Sequence, residues 1–263
     1  MKFIKKSYVA LILLIMYAPV AILMVYSFND SKLPIWKGFT LKWYEEIFRD
    51  YSIQQAFYNT ILVAVISSII ATIIGTLAAV GIEKMIGWKK SLMMNITYIP
   101  LLSSEIVTGV SLMLLFSALN LPLGITTLIL SHITFSIPYV ILSIMPKLKQ
   151  LNYNTYEAAL DLGATPWYAF KKVILPEILP GVLAGLFIAF TLSIDDFIIS
   201  FFNTGAGVDT LSIKVYSMTR KGVAPTINAI STIMFATIII VLITSNVMAS
   251  RKQKKLNKIN KRI

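Results

Sequence analysis

Runs of about 20 apolar residues recur along this 263-residue chain, and no other feature restricts its fold so severely. A helix rises 1.5 Å per residue, so each run is long enough to cross a hydrocarbon core about 30 Å thick. The runs are unbroken rather than alternating, which favours helices over barrel strands. Apolar residues make up 57 % of the chain and charged residues 14 %, a balance that a soluble domain of this length could not keep from water. The sequence predicts an all-α membrane protein with six spans, at residues 8–28, 60–82, 92–119, 125–145, 181–202 and 226–249. The first run is too long for the h-region of a secretory signal and has no small-x-small site after it, so it reads as an uncleaved anchor.

The net charge of +12 is distributed by side. With both termini on one face, that face carries 17 Lys and Arg in residues 1–7, 83–91, 147–180 and 250–263, and the opposite face carries seven. The positive-inside rule then places both termini in the cytoplasm of a multi-pass protein of the plasma or inner membrane. The basic tail, residues 251–263, reads as a topology anchor touching anionic lipid and not as a nucleic-acid arm. The absence of cysteine excludes disulfides and thiolate metal sites. Outside, residues 29–58 carry Trp36, Trp43 and Tyr44, and a short amphipathic helix is expected around residues 41–49, its aromatics in an interfacial belt. Residues 203–225, rich in Gly, Ser and Thr, suit a lid or a re-entrant turn.

Residues 147–180 form an inside loop too long for a simple turn, and its helices are spelled out locally. Asn154 followed by Glu157 suggests an N-cap and N3 acid pair that starts a helix through Ala158, Ala159 and Leu160. Gly163 suits the left-handed position that ends such a helix, and Thr165 then caps a second helix opened by Pro166. Pro176 and Pro180 are expected to break that second helix before the fifth span.

The sequence Glu157-Ala158-Ala159, with Gly163 six positions after the Glu and Leu175-Pro176 closing the segment, resembles the EAA loop of bacterial ABC importer permeases. Val173 stands where isoleucine is commoner in that pattern. The stretches FTLSIDDFIISFF and SFNDSKLPIWKGFTLKWYEEIF extend the resemblance over almost the whole chain, to the permease subunits of spermidine/putrescine importers.

The resemblance implies the type I ABC importer permease fold. Residues 1–58 would form an added anchor helix and outer loop, residues 59–250 a five-helix core with the coupling loop 147–180, and residues 251–263 the tail. It implies as partners a cytoplasmic ABC ATPase dimer, a second permease subunit, an extracellular polyamine-binding protein, and a polyamine as cargo. Glu157, Ala158, Ala159, Gly163, Leu175 and Pro176 would couple to the ATPase. The small alanines would let the helix seat in a cleft, and Glu157 would pair with a basic residue there. The chain has no G-x-x-x-x-G-K-[ST] sequence, so ATP and magnesium would be bound by the partner and this chain would be a transporter subunit without a cofactor, not an enzyme.

Three acids fall inside the expected spans: Glu105, Asp195 and Asp196. Carboxylates in a bilayer are costly and usually face a pore or a partner. On straight helices Glu105 and Asp195 would both lie about 20 Å from the cytoplasmic end, with Asp196 rotated by about 100° from its neighbour. No Lys or Arg lies in those spans, so a polycation is the fitting counter-ion. Tyr98, Tyr139 and Tyr216 offer cation–π faces, while the lone His132 reads as a hydrogen-bonded interior residue. Gly181 and Gly185 suggest close helix contact, and Pro100 and Pro138 suggest kinks. Other readings are an importer permease for an amino acid, iron or a sulfur compound, an intramembrane aspartyl protease built on Glu105 and Asp195, and a passive cation channel. The last two leave the EAA loop without a purpose.

Overall fold

A computed structural model describes residues 2–33, 35–220 and 225–260. Its elements run α1 (Lys2–Tyr26), α2 (Lys42–Arg49), α3 (Tyr51–Lys84), α4 (Trp88–Leu102), α5 (Glu105–Ala118), α6 (Ile125–Lys149), α7 (Tyr153–Asp161) and α8 (Pro166–Ala169). A π-turn (Phe170–Ile174) leads into α9 (Leu175–Asp195), followed by α10 (Ile198–Asn203), α11 (Leu211–Arg220) and α12 (Pro225–Asn260). Two compact units result, one from Met1–Phe57 and Leu211–Ile240, the other from Tyr58–Thr210 and Val241–Ile263.

In the first unit, α2 appears where the outer loop was expected to be amphipathic. Trp43 and Ile47, one turn apart, are buried with Ile53, Ala56, Leu211, Ala229 and Ile230. The indole Nε1 of Trp43 donates to the Asn29 carbonyl at 2.8 Å, and the Asn29 side chain donates to Ile35 and accepts from the Lys37 amide, both at 2.9 Å. Trp43 is therefore a core residue and not part of an interfacial belt. Residues 203–225 are not simply a lid, because they contain α11, anchored by the buried Leu211.

In the second unit α6 is the central helix, buried along one face from Thr127 to Leu148 and packed most extensively on α9. Hydrocarbon gives apolar helices little reason to associate, so close approach through small residues does the holding. A methyl added at Gly185 would lie 3.2 Å from the Val140 Cα, and one at Gly181 3.0 Å from the Ser143 carbonyl oxygen. Val140 also fills the notch at Gly75 on α3, where an added methyl would stand 2.7 Å from its Cγ1. The expected glycine-mediated contact is present and involves three helices.

Among the described residues, four stretches have the length and apolarity to cross a membrane: Ser7–Tyr26, Tyr51–Lys84, Ile125–Lys149 and Pro166–Asp195. The third expected span is not one helix. It is bent by 106° between α4 and α5. Pro100 weakens the end of α4, Ser103 and Ser104 are extended, and the Ser104 hydroxyl caps α5 by accepting from Val107. The fifth span also differs, since it begins at Pro166 and its helix ends at Asp195. Pro176 and Pro180 do not break it. The π-turn just ahead widens the backbone where the Pro176 ring would otherwise meet the Lys172 carbonyl, so the helix passes through. The sixth expected span falls in α12, where the apolar stretch among the described residues, Pro225–Ile240, is shorter than a full crossing.

Candidate functional site

The loop between α6 and α9 folds as a helix, a glycine turn and a second helix. The cap of α7 is Asn152, whose side chain accepts from the Asn154 amide at 3.1 Å, so the expected cap at Asn154 is displaced by two residues. At the other end Gly163 takes φ +87°. Its amide donates to the Leu160 carbonyl at 2.8 Å, and that of Ala164 to the Ala159 carbonyl at 3.1 Å, which is the Schellman pattern. Thr165 then caps α8 by accepting from Tyr168 at 3.3 Å, with Pro166 at the first helical position.

No residue of α7 is buried. Glu157, Ala158 and Gly163 are exposed, as are Leu162 at 90 %, Trp167 at 66 % and Tyr168 at 57 %. A run of large apolar side chains left open beside a carboxylate and small residues is a surface shaped for a partner. Leu162, Trp167 and Tyr168 were not singled out in the sequence, although their place between the glycine turn and the second helix marked them. Leu175 packs partly against the core formed by Val140, Ile144 and Ile178, while Pro176 is exposed.

The root of α7 rests on the end of α3. Lys84 stands over the Tyr156 ring at 4.9 Å, and Glu83 pairs with Lys90 at 3.0 Å. Partial burial, with the Glu83 charge adding to it, pushes the Tyr153 phenol above its ordinary range.

The acids sit at helix breaks. Glu105 is the first residue of α5, exposed, at an end whose dipole favours a carboxylate. Asp195 is the last residue of α9, exposed, where the dipole disfavours it and favours a cation. Asp196 does not continue the helix. Its backbone is extended (φ −63°, ψ 126°), so the expected 100° rotation between the two aspartates does not apply. Nor does the equal-depth estimate, because the path to Glu105 turns through 106°.

Asp196 is a structural residue by its contacts. Its side chain is 4 % exposed and accepts from the amides of Ile199 at 3.1 Å and Ser200 at 2.7 Å, capping α10. It also faces the Nε2 of His132 on α6 at 3.6 Å, a neighbour from outside its own span. His132 is an interior hydrogen-bonding residue as expected, with Nδ1 2.7 Å from the Ser193 hydroxyl and Nε2 3.1 Å from that of Ser200. Tyr98 is 40 % exposed on α4, and Tyr139 lies tilted against Phe135, ring centroids 5.3 Å apart. Tyr216 belongs to the other unit and has the Arg220 guanidinium 6.0 Å from its ring.

Residues 71–257, which include the whole of the α7–α9 loop, match the family described as binding-protein-dependent transport system inner membrane component. The chain belongs to that family. Its members are transport components of the inner membrane, so this multi-pass chain is a transporter subunit. It is 39 % identical over 240 residues to the spermidine/putrescine transport system permease protein PotC of Escherichia coli K12, covering 91 % of each chain. It is 38 % identical over 249 residues to the putrescine transport system permease protein PotI of the same organism, covering 91 % of this chain and 88 % of that one. Among solved structures it is similar to a chain of a bacterial ABC transporter involved in the import of alginate (TM-score 0.71, 17 % identity, 95 % and 98 % of the two chains). A chain of the MetNI methionine ABC transporter is also similar (TM-score 0.64, 17 % identity, 81 % and 99 %). The fold is thus that of an ABC importer permease.

Proposed function

We propose that this family member is one permease subunit of an ATP-driven importer that carries polyamines into the cell. The observation that carries the reading is the pair of exposed, unneutralised carboxylates, Glu105 and Asp195, each at a break in otherwise apolar membrane helices. Neither has an ion-pair partner among the described residues, and Asp195 opposes its own helix dipole, so a polycation stabilises what the chain alone leaves unfavourable. Identity of 39 % and 38 % to permeases named for spermidine and putrescine supports the same cargo. Of the tyrosines, Tyr98 is the better placed for a cation–π contact on this path, because Tyr216 already has Arg220 beside it.

The exposed face of α7 and α8, with Glu157, Ala158, Ala159 and Gly163, receives a cytoplasmic ATPase dimer, which binds ATP and magnesium. A second permease subunit completes the pathway, and an extracellular binding protein delivers the polyamine. Both termini lie in the cytoplasm, in keeping with the 17 against seven division of basic residues. Movement of α7 and α8 reaches Asp195 directly, since Pro166–Asp195 is one helical stretch of 30 residues.

Uptake of labelled spermidine and putrescine by cells carrying the intact transporter tests the reading. Asp195→Asn and Glu105→Gln are expected to reduce uptake while the complex still co-purifies. Normal uptake in both variants, or transport of neither polyamine by the unaltered protein, sinks the proposal.

A further inference from the structure

A buried polar cluster surrounds the break between α9 and α10, and the cargo reading does not use it. His132 is 1 % exposed and lies at its centre. On one side its Nδ1 meets the Ser193 hydroxyl at 2.7 Å, which in turn meets the Ser67 hydroxyl on α3 at 3.2 Å. On the other its Nε2 meets the Ser200 hydroxyl at 3.1 Å and faces the Asp196 carboxylate at 3.6 Å. Ser193 precedes the break and Ser200 follows it, so one imidazole spans the discontinuity. The far end of α10 is fixed separately, by Asn203 donating to the Gly109 carbonyl at 3.1 Å and by Thr127 donating to the Asn203 carbonyl at 2.9 Å.

Apolar packing alone does not dictate this arrangement. A leucine would fill the volume of the ring, but it would leave Ser193, Ser200 and Asp196 short of partners in a site closed to water. The Asp196 carboxylate, already accepting two amides, favours the tautomer with hydrogen on Nε2, and Nδ1 then accepts from Ser193. Imidazole is fitted to this site because it donates on one side of the break and accepts on the other.

We propose that His132 is the positioning residue that sets the direction in which Asp195 projects, by clamping Ser193 ahead of the break and Ser200 with Asp196 behind it. The inference rests on Asp195 touching the polyamine, as argued above. His132 itself touches no cargo. Its contribution is to hold the last turn of α9 at one angle to α10, so that the exposed carboxylate meets the cation without searching for its position.

The test is spermidine uptake by cells carrying the intact transporter, with half-saturating concentration and maximal rate measured separately. His132→Leu should raise the half-saturating concentration about tenfold, the scale of one lost hydrogen bond to a charged group. His132→Gln, which keeps an amide donor near Ser200 and Asp196, should recover most of that loss. The double variant His132→Leu with Asp195→Asn should be no worse than Asp195→Asn alone, because the histidine acts through the aspartate. Losses that multiply in the double variant overturn the proposal, as does a normal half-saturating concentration in His132→Leu while Asp195→Asn is impaired. If His132→Leu does not reach the membrane, Ser193→Ala removes one arm of the clamp and carries the same cycle with the same outcomes. A silent Asp195→Asn overturns this inference, whereas the cargo reading falls only if Glu105→Gln is silent as well, so the two failures are told apart.

Discussion

Gly163 offers a direct test of how the coupling loop is held. Its φ of +87° lies in the left-handed region, and a methyl built on it meets nothing within 4 Å. Alanine here therefore produces no clash, and its whole cost is the backbone penalty of an L-residue with positive φ, about 1–2 kcal/mol. Only Tyr153 and Tyr156 at the root of α7 pack against the core, and no residue of the helix is fully buried, so little tertiary contact opposes a change in the turn. A penalty of this size lowers the population of the native turn relative to its alternatives by a factor of about 5 to 30. Asparagine, which tolerates the left-handed region, costs less, and valine, branched at Cβ, costs at least as much as alanine. Co-purification with the ATPase and polyamine-stimulated ATP hydrolysis in the reconstituted transporter should therefore fall in the order Gly, Asn, Ala, Val. A decline that follows side-chain volume, with asparagine worse than alanine, refutes the turn argument and makes Gly163 part of the contact surface instead. No decline in any variant refutes both.

Further outcomes are expected. Glu157→Lys should weaken co-purification of the ATPase, since it reverses the charge on the exposed face of α7. Gly75→Ala should lower the thermal midpoint in detergent by an amount matching about 1–3 kcal/mol of overpacking, and Val140→Ala in the same chain should restore only part of it, because it removes the Cγ1 at 2.7 Å but keeps the Cβ at 2.9 Å. Ultraviolet titration should show Tyr153 ionising later than an ordinary tyrosine, and earlier once Glu83→Gln removes the nearby charge. A phenol raised on folding contributes stability that is complete at neutral pH and is lost only as pH climbs through its own alkaline titration, so the Tyr153 contribution should be flat near neutrality.

The coupling loop was legible because its signals are local. Thr165, Pro166 and Gly163 act on the backbone within a few residues, and each appears where the sequence puts it. The two breaks inside the membrane were harder to see, although their signals were also present. Ser104 followed by Glu105 is a cap with an acid in the first turn, and Asp196 before a short helix is another. Both lie in long apolar runs, where hydropathy alone predicts continuity. The continuation of α9 through Pro176 depends on the π-turn, which no single residue announces. The histidine cluster was hidden for a different reason. Ser193, Asp196 and Ser200 are close in sequence, but their common partner is 61 to 68 residues away in the chain, and which helix faces which is a tertiary fact.

The uninterrupted stretch from Pro166 to Asp195 places a restriction on the gene as well as on the molecule. About 45 Å of helix joins the turn before Pro166, the proposed ATPase contact, to the carboxylate at its tip. Adding or deleting a single codon within it would leave both ends chemically intact while turning one against the other by about 100°. Ordinary loops absorb such length changes, whereas within this segment only the π-turn at Phe170–Ile174 departs from regular α-helical winding. Substitutions along its exposed side leave this geometry alone, whereas a change in its residue count would turn the proposed contact face against Asp195.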